Sequence, residues 1–297
     1  MNAVLVLPAR NEEECIEAVI AEVRQYFQGD VLVVDNGSTD RTAERAHAAG
    51  AGVVSEPVPG YGRACMAGLR TAPEADAYVF MDADGSDCPE DIPGLLAALD
   101  AGAGLALAVR RGPRVVPGSI APAARFGNWL SGALIGLGTG RRLPDLSPLK
   151  AVTRETIECI APTEMTYGWT VELLAMAASK KVPIAEVETG YRHRIGGQSK
   201  VSGTVGGSVR AGYRILFVLG RVGLRQAGRR IIGGTVGGLL ALAGLGGYTW
   251  WLLQEGPSSR DVFVSTWLLA WPLVLAGAAI GAVTANSILG IRKRVLT

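Results

Sequence analysis

The sequence predicts an α/β domain built on a mostly parallel sheet with helices on both faces, followed by a basic stretch and an apolar tail. Three observations carry that expectation. Short apolar runs alternate with helical patterns through the first half of the 297 residues. Polar loops containing Asp, Asn and Gly follow the first, second and fourth of those runs. Charge also divides the chain: residues 1–188 hold 16 Lys and Arg against 25 Asp and Glu, whereas residues 189–297 hold 13 against 2. The net charge of +2 therefore averages an acidic body and a basic tail, the pattern of a membrane-attached protein and not of a simple soluble enzyme. A hydrophobic fraction of 48% excludes a disordered chain.

Taken in order, strands are expected at 4–7, 31–34, 52–55, 77–81 and 105–109, with helices at 12–27, 40–49, 63–71 and 90–100. The N-terminus MNAVLVLPARNEEE has no basic leader and its apolar run ends at Pro8, so it reads as a first strand and not as a signal peptide. Cys15, Cys65, Cys88 and Cys159 form no CxxC pair, which suggests neither a disulfide framework nor a zinc site.

Ligands of such sheets bind beyond the carboxyl ends of the strands. PARNEE (8–13), DNGSTD (35–40) and DADGSD (82–87) all fall there, so Glu12, Asp35, Asp40, Asp82 and Asp84 should share one rim. Local explanations exist for each: Asn11 as cap of the first helix, Ser38 or Thr39 as cap of the second, and Asp82–Gly85 as a surface turn. Two acids two residues apart at a strand end point the same way, and such a pair suits Mg²⁺ or Mn²⁺, which take oxygen ligands and keep phosphates in their shell.

Ile231–Leu253 is 23 residues without a charge and Val262–Ile291 another 30, each long enough to cross a hydrocarbon core of about 30 Å. Trp250, Trp251, Trp267 and Trp271 would gather at one interface. Arg221, Arg225, Arg229 and Arg230 before the first span, and Arg292, Lys293 and Arg294 after the second, put both termini and the N-terminal body on the cytoplasmic side of the cell membrane. Residues 201–230 read as a basic amphipathic helix in the headgroup layer, with Arg210, Arg214, Arg221 and Arg225 on one arc, and nucleic acid is not expected as a partner. Gly233/Gly237 and Gly277/Gly281 permit a homo-oligomer. The expected organisation is thus a cytoplasmic domain over 1–200, an interfacial region over 201–230 and a transmembrane hairpin over 231–297.

PARNEE, VVDNGSTD (33–40) and MDADG (81–85), in this order, resemble family-2 glycosyltransferases of the GT-A, Rossmann-like fold. AVRR (108–111), PDLSPLKAV (144–152), GWTVEL (168–173) and RIGGQSK (194–200) resemble the polyprenyl-phosphate sugar synthases, the dolichyl- and undecaprenyl-phosphate enzymes among them, some of which carry a membrane hairpin. The resemblance implies that Pro8, Ala9, Arg10, Glu12 and Asp35 hold the nucleoside of a UDP- or GDP-sugar, that Gly60, Tyr61 and Arg63 of PGYGRA close over the base, and that Asp82 and Asp84 bind the metal. Many of these synthases carry a Gln two residues after the second Asp; Ser86 stands there in this chain, with Ser86 or Asp87 as substitutes. The QxxRW signature of processive synthases is absent.

A lipid phosphate is already ionised near neutral pH and needs no base, only cations to hold it beside the donor. Arg110 in AVRR, Arg125 in ARFGN (124–128), Arg194 and Lys200 are the candidates. The expected reaction is one in-line displacement at the anomeric carbon with inversion, giving a polyprenyl-phosphate sugar. A lipid hydroxyl as acceptor, with Asp145 or Glu172 as base, and a nucleotide-binding membrane scaffold without activity are the alternatives. Asp145 serves more naturally to orient an arginine or the sugar hydroxyls.

Overall fold

The structure, a computed structural model, describes residues 1–196, 217, 218 and 220–222, which fall within one compact unit, Met1–Val222. The chain runs β1 (Ala3–Ala9), α1 (Ile16–Tyr26), β2 (Asp30–Asp35), α2 (Thr42–Ala48), β3 (Gly52–Ser55), α3 (Tyr61–Thr71), β4 (Ala77–Phe80), α4 (Ile92–Asp100), β5 (Leu105–Val115), α5 (Pro122–Thr139), β6 (Lys150–Thr153), α6 (Arg154–Ile160), α7 (Trp169–Ser179) and β7 (Ile184–Tyr191). The strands form one sheet of order β3-β2-β1-β4-β6-β5-β7. All neighbours are parallel except β6, which runs antiparallel to both β4 and β5.

Alternation along β1 decides which side chains face which layer. Val4 and Val6 enter a core shared with α3 and α7, around Phe80 and Trp169; Leu5 and Leu7 enter the opposite core with Ile16, Ile20 and Leu95 of α1 and α4. Both faces are covered, as parallel sheets require. β1 runs through Pro8 to Ala9 because its pairing with β4 stops at Val6↔Phe80, so the missing Pro8 N–H breaks no central ladder.

The first five strands and four helices appear where the sequence predicts them; β1, β2, β5 and α3 run longer than predicted, while β4, α1, α2 and α4 are shorter. Helix α1 begins four residues late. Asn11 takes a left-handed φ of 51°, and its Oδ1 accepts from the Thr39 N–H at 2.8 Å, so it ties two loops together instead of capping α1. At α2 neither Ser38 nor Thr39 is the cap; Asp40 Oδ1 accepts the Thr42 N–H at 3.0 Å.

No described helix is long and apolar enough to cross a membrane, and both predicted spans, 231–253 and 262–291, lie outside the described residues. Of the predicted interfacial stretch 201–230, residues 217, 218 and 220–222 are described, and they extend the domain beyond residue 200. Val218 and Val222 are buried in the α3/α7 core. Arg221 pairs with Glu172 at 3.0 Å and Glu164 at 3.3 Å, two acids buried enough to need a cation.

Candidate functional site

The chain leaves β1 toward β2 on one side and, after β3, returns to β4 on the other. The crevice at that reversal lies beyond the carboxyl ends of β1 and β4. Two clusters of side chains form there.

The first gathers around the 82–87 loop. β4 ends at Phe80, so Asp82 and Asp84 are set by a turn and not by strand alternation. The turn is held by the chain just after β7: the Ile195 N–H donates to Asp84 O at 3.0 Å, the Arg192 N–H to Ser86 O at 2.9 Å, and Arg192 Nε to Gly85 O at 2.7 Å. Gly85 has φ 75°, and a Cβ there would lie 2.5 Å from Ile195 Cδ1, so both backbone and space demand glycine.

Asp84 Oδ1 accepts from the Ser86 N–H and hydroxyl, which faces Oδ2 away toward Arg194 Nη2, 3.8 Å distant. Arg194 Nη2 also lies 3.2 Å from Glu12 Oε2, and buried Glu12 is anchored by its N–H to Thr42 Oγ1. Asp87 Oδ2 accepts the Asp82 N–H at 3.2 Å. Burial, with the charges of Asp84 and Asp87, lifts the Asp82 carboxyl well above the usual carboxylate range. Burial lifts Asp87 to about 7, against the opposing charges of Arg110 and Lys150.

Behind this acid cluster stand two buried cations. Lys150, fully buried on β6, donates to Pro148 O at 2.7 Å and Thr170 Oγ1 at 3.3 Å, and burial draws it down to about 8. Arg110 is clamped by Asp145, Nε at 2.9 Å and Nη2 at 2.6 Å, and its guanidinium carbon lies 4.8 Å from the Tyr191 ring centre. Burial opposes the Arg110 charge, but the bonds and charge of Asp145 outweigh it and raise its pKa. Only Nη1 of Arg110 lacks a bond to the described residues. Asp145 also accepts from Asn128 Nδ2 and the Leu146 N–H.

The second cluster lies beyond β2. Asp35 Oδ1 accepts the Ser38 N–H at 3.2 Å, an Asx turn that leaves Oδ2 without a bond among the described residues. Next to it buried Asn36 clamps the following loop. Its Nδ2 donates to Glu56 O and Val58 O, and its Oδ1 accepts the Gly60 N–H at 2.7 Å. From there α3 starts against the 164–166 backbone. The Gly62 and Arg63 N–H groups donate to Thr166 O and Met165 O, and a Cβ on Gly62 would lie 2.3 Å from Glu164 O. Half-buried Arg63 has no ion pair among the described residues.

The structure thus brings Glu12, Asp82, Asp84, Arg110 and Arg194 to one corner, and Asp35, Gly60 and Arg63 to the adjoining one. Pro8 and Ala9 form the strand end between them, exposed Arg10 follows, and Arg125 is exposed in the first turns of α5 without a side-chain partner among the described residues. Lys200 lies outside the described residues. Glu172, weighed as a base, instead accepts the Thr163 and Glu164 N–H groups and Arg221. Asn36, Lys150 and Asn128 escaped the sequence reading. Only Lys150 left a signal, a charge inside the apolar run LKAV.

The family model for glycosyl transferase family 2 matches residues 4–158, more than half of the chain and all of the first cluster except the 191–195 support. The chain belongs to glycosyl transferase family 2. An uncharacterized glycosyltransferase of Mycobacterium tuberculosis is 41% identical over 214 residues, 69% of this chain and 92% of that protein. The dolichyl-phosphate hexose transferase of Haloferax volcanii is 33% identical over 213 residues, 69% of this chain and 88% of that enzyme. Among solved structures, glucosyl-3-phosphoglycerate synthase from M. tuberculosis in complex with Mn²⁺, uridine diphosphate and glucosyl-3-phosphoglycerate superposes with a TM-score of 0.59 at 30% identity, covering 74% of this chain and 80% of that one. This family-2 glycosyltransferase therefore has the GT-A-like, mostly parallel seven-stranded sheet that its motifs imply.

Proposed function

We propose that this glycosyltransferase moves a sugar from a UDP- or GDP-sugar to a polyprenyl phosphate at the cytoplasmic face of a membrane, with inversion at the anomeric carbon. The observation that carries the choice of acceptor is the state of the carboxylates. Asp145 is occupied by Arg110, Asn128 and a backbone N–H, and Glu172 by two backbone N–H groups and Arg221, which leaves neither placed to deprotonate a hydroxyl. Cations stand beside the acid pair instead, which suits an acceptor that arrives ionised.

Asp82 and Asp84 fit a divalent cation. The Asp82 carboxylate accepts no hydrogen bond from the described residues, and the crowding that raises it is relieved by positive charge. Two carboxylates fill only part of the shell of such a cation, which leaves positions for phosphate oxygens. When bound, Mg²⁺ or Mn²⁺ supplies Lewis-acid stabilisation of the leaving diphosphate. Asp35 Oδ2, Arg63 and the loop clamped by Asn36 receive the nucleoside, with the Pro8–Arg10 backbone and Glu12 below it. Arg194, Nη1 of Arg110, Arg125 and Lys200 hold the acceptor phosphate in line with the anomeric carbon. Residues 231–253 and 262–291 anchor the chain as a two-span hairpin, in support of which stand their length and lack of charge.

The test supplies the full chain and Mn²⁺ with labelled UDP- and GDP-sugars and three acceptors: polyprenyl phosphate, diacylglycerol and 3-phosphoglycerate. Label in an alkali-stable, mild-acid-labile polyprenyl product is expected. Transfer to diacylglycerol alone, or to 3-phosphoglycerate alone, replaces this acceptor by the one labelled, and binding without transfer to any leaves a scaffold.

A further inference from the structure

Helix α5 carries an apolar arc on the face turned away from the domain, besides the one it buries. At about 100° per residue, Phe126, Trp129, Leu130, Ala133 and Leu137 fall within an arc of about 100°. That arc faces outward: Phe126 is 61% exposed, Trp129 54% and Leu137 76%. The opposite face packs inward and is mixed, with Ile135 buried in the α3/α7 core beside polar and small residues. Asn128 bonds Asp145, buried Ser131 donates to Gly127 O, and Gly132 packs so close that a Cβ would lie 2.1 Å from Leu143 O. The exposed side chains are organised, with the Phe126 and Trp129 rings stacked at 5.9 Å. A contiguous apolar stripe of this kind marks an interaction surface.

Charge identifies what it meets. From Ala101 to Pro144 the sequence has six arginines and no Asp or Glu; Arg110, Arg111 and Arg114 pair with acids outside that stretch, which leaves Arg125, Arg141 and Arg142 to set the charge beside α5. Arg125 and Arg142, both exposed, stand near the two ends of the stripe. An outward apolar arc carrying a tryptophan and ending in arginines is the composition of a helix lying in the headgroup layer of an anionic bilayer. With 18 residues, α5 is not among helices able to cross a membrane.

We propose that α5 is a bilayer-docking helix: the Phe126–Trp129–Leu137 face inserts into an anionic lipid surface and seats the catalytic domain on it. Through the Asn128–Asp145–Arg110 link the docked helix also fixes the floor of the acceptor side, which rests on the acceptor reading above; the lipid contact itself does not.

The test places nitroxide labels on the full chain, in a Cys88→Ser, Cys159→Ser background, at Leu137→Cys, at Trp129→Cys and, as a control on the exposed end of α1, at Tyr26→Cys. In phosphatidylglycerol-containing vesicles the ratio of oxygen to nickel-chelate accessibility is expected to be several-fold higher at 129 and 137 than at 26. Pure phosphatidylcholine or Arg142→Glu should lower it. A ratio at both positions equal to that at 26 overturns the proposal, and so does shielding from both reagents, which means that protein covers the helix. Carbonate extraction is run in parallel. If it strips the chain from vesicles, the two-span anchor fails, while the accessibility ratio measured after adding vesicles to the released chain still decides the role of α5.

Discussion

Arg194 reaches back across the fold to Glu12, its Nη2 3.2 Å from Oε2, and from the same position lies 3.8 Å from Asp84 Oδ2. With Glu12 buried and Arg194 22% exposed, the Arg194–Glu12 pair lies between a surface and a buried ion pair. Its value is positional: it holds a guanidinium at the edge of the acid pair. Arg194→Ala is expected to lower kcat/KM about 100-fold, or about 3 kcal/mol, through loss of charge stabilisation. Its melting temperature should fall modestly, since buried Glu12 loses this cation. Steady-state kinetics beside a thermal melt checks both, and a large loss of stability with intact turnover would contradict the assignment.

The Arg110–Asp145 pair predicts the reverse balance. Both side chains are buried, and Asp145 gathers donors from β5, α5 and the loop before β6. Asp145→Asn leaves a buried guanidinium without its counter-charge and should destabilise by about 3–5 kcal/mol. Replacing both partners, with Arg110→Met and Asp145→Leu, should recover much of that stability while activity stays lost. Urea unfolding of the two variants against the parent chain reads the difference.

Much of this was visible in the sequence, for reasons that particular residues make plain. β1, β2 and β3 are read as short apolar runs between helical patterns. The Asp82/Asp84 pair is conspicuous because acids directly after a buried strand have no packing role. β6 was hidden because it has four residues and begins with Lys150, whose charge is tolerated only through Pro148 O and Thr170, contacts the sequence does not order. Asn36 was hidden for another reason: its partners are backbone atoms of Glu56, Val58 and Gly60, and backbone has no sequence signature. Nothing local in the sequence reveals that Arg221 pairs with Glu164 and Glu172, which lie 57 and 49 residues before it.

Asn36 gives the third prediction. Its side-chain amide makes three bonds to the loop leading into α3, and its own N–H donates to Ala9 O. Asn36→Ala removes the clamp but not the strand contact, so KM for the nucleotide sugar should rise about tenfold, near 1.4 kcal/mol, with kcat little changed. Asn36→Asp should be worse, because a carboxylate would replace the amide donor facing the Glu56 and Val58 carbonyls. Hydrogen exchange at Gly60 should quicken in both, and unchanged protection there would argue against a clamp.

The acid cluster should make stability and metal binding depend on pH in opposite directions. Burial sets the folded Asp87 carboxyl near 7, far above its unfolded value near 3.8, and Asp82 is raised as well. Between about pH 4 and pH 7 the folded chain therefore holds a proton that the unfolded chain has released. Without metal, stability should fall as pH rises through that window. A divalent cation bound at Asp82 and Asp84 favours the ionised carboxylates and displaces protons, so its affinity should climb over the same window. Thermal melts from pH 5 to 8 with and without Mn²⁺ measure both trends: a declining melting temperature without metal, and a Mn²⁺-induced rise that grows with pH. Asp84→Asn should remove most of the Mn²⁺ effect. A Mn²⁺ shift of equal size at every pH, or one that survives Asp84→Asn, would place the cation elsewhere.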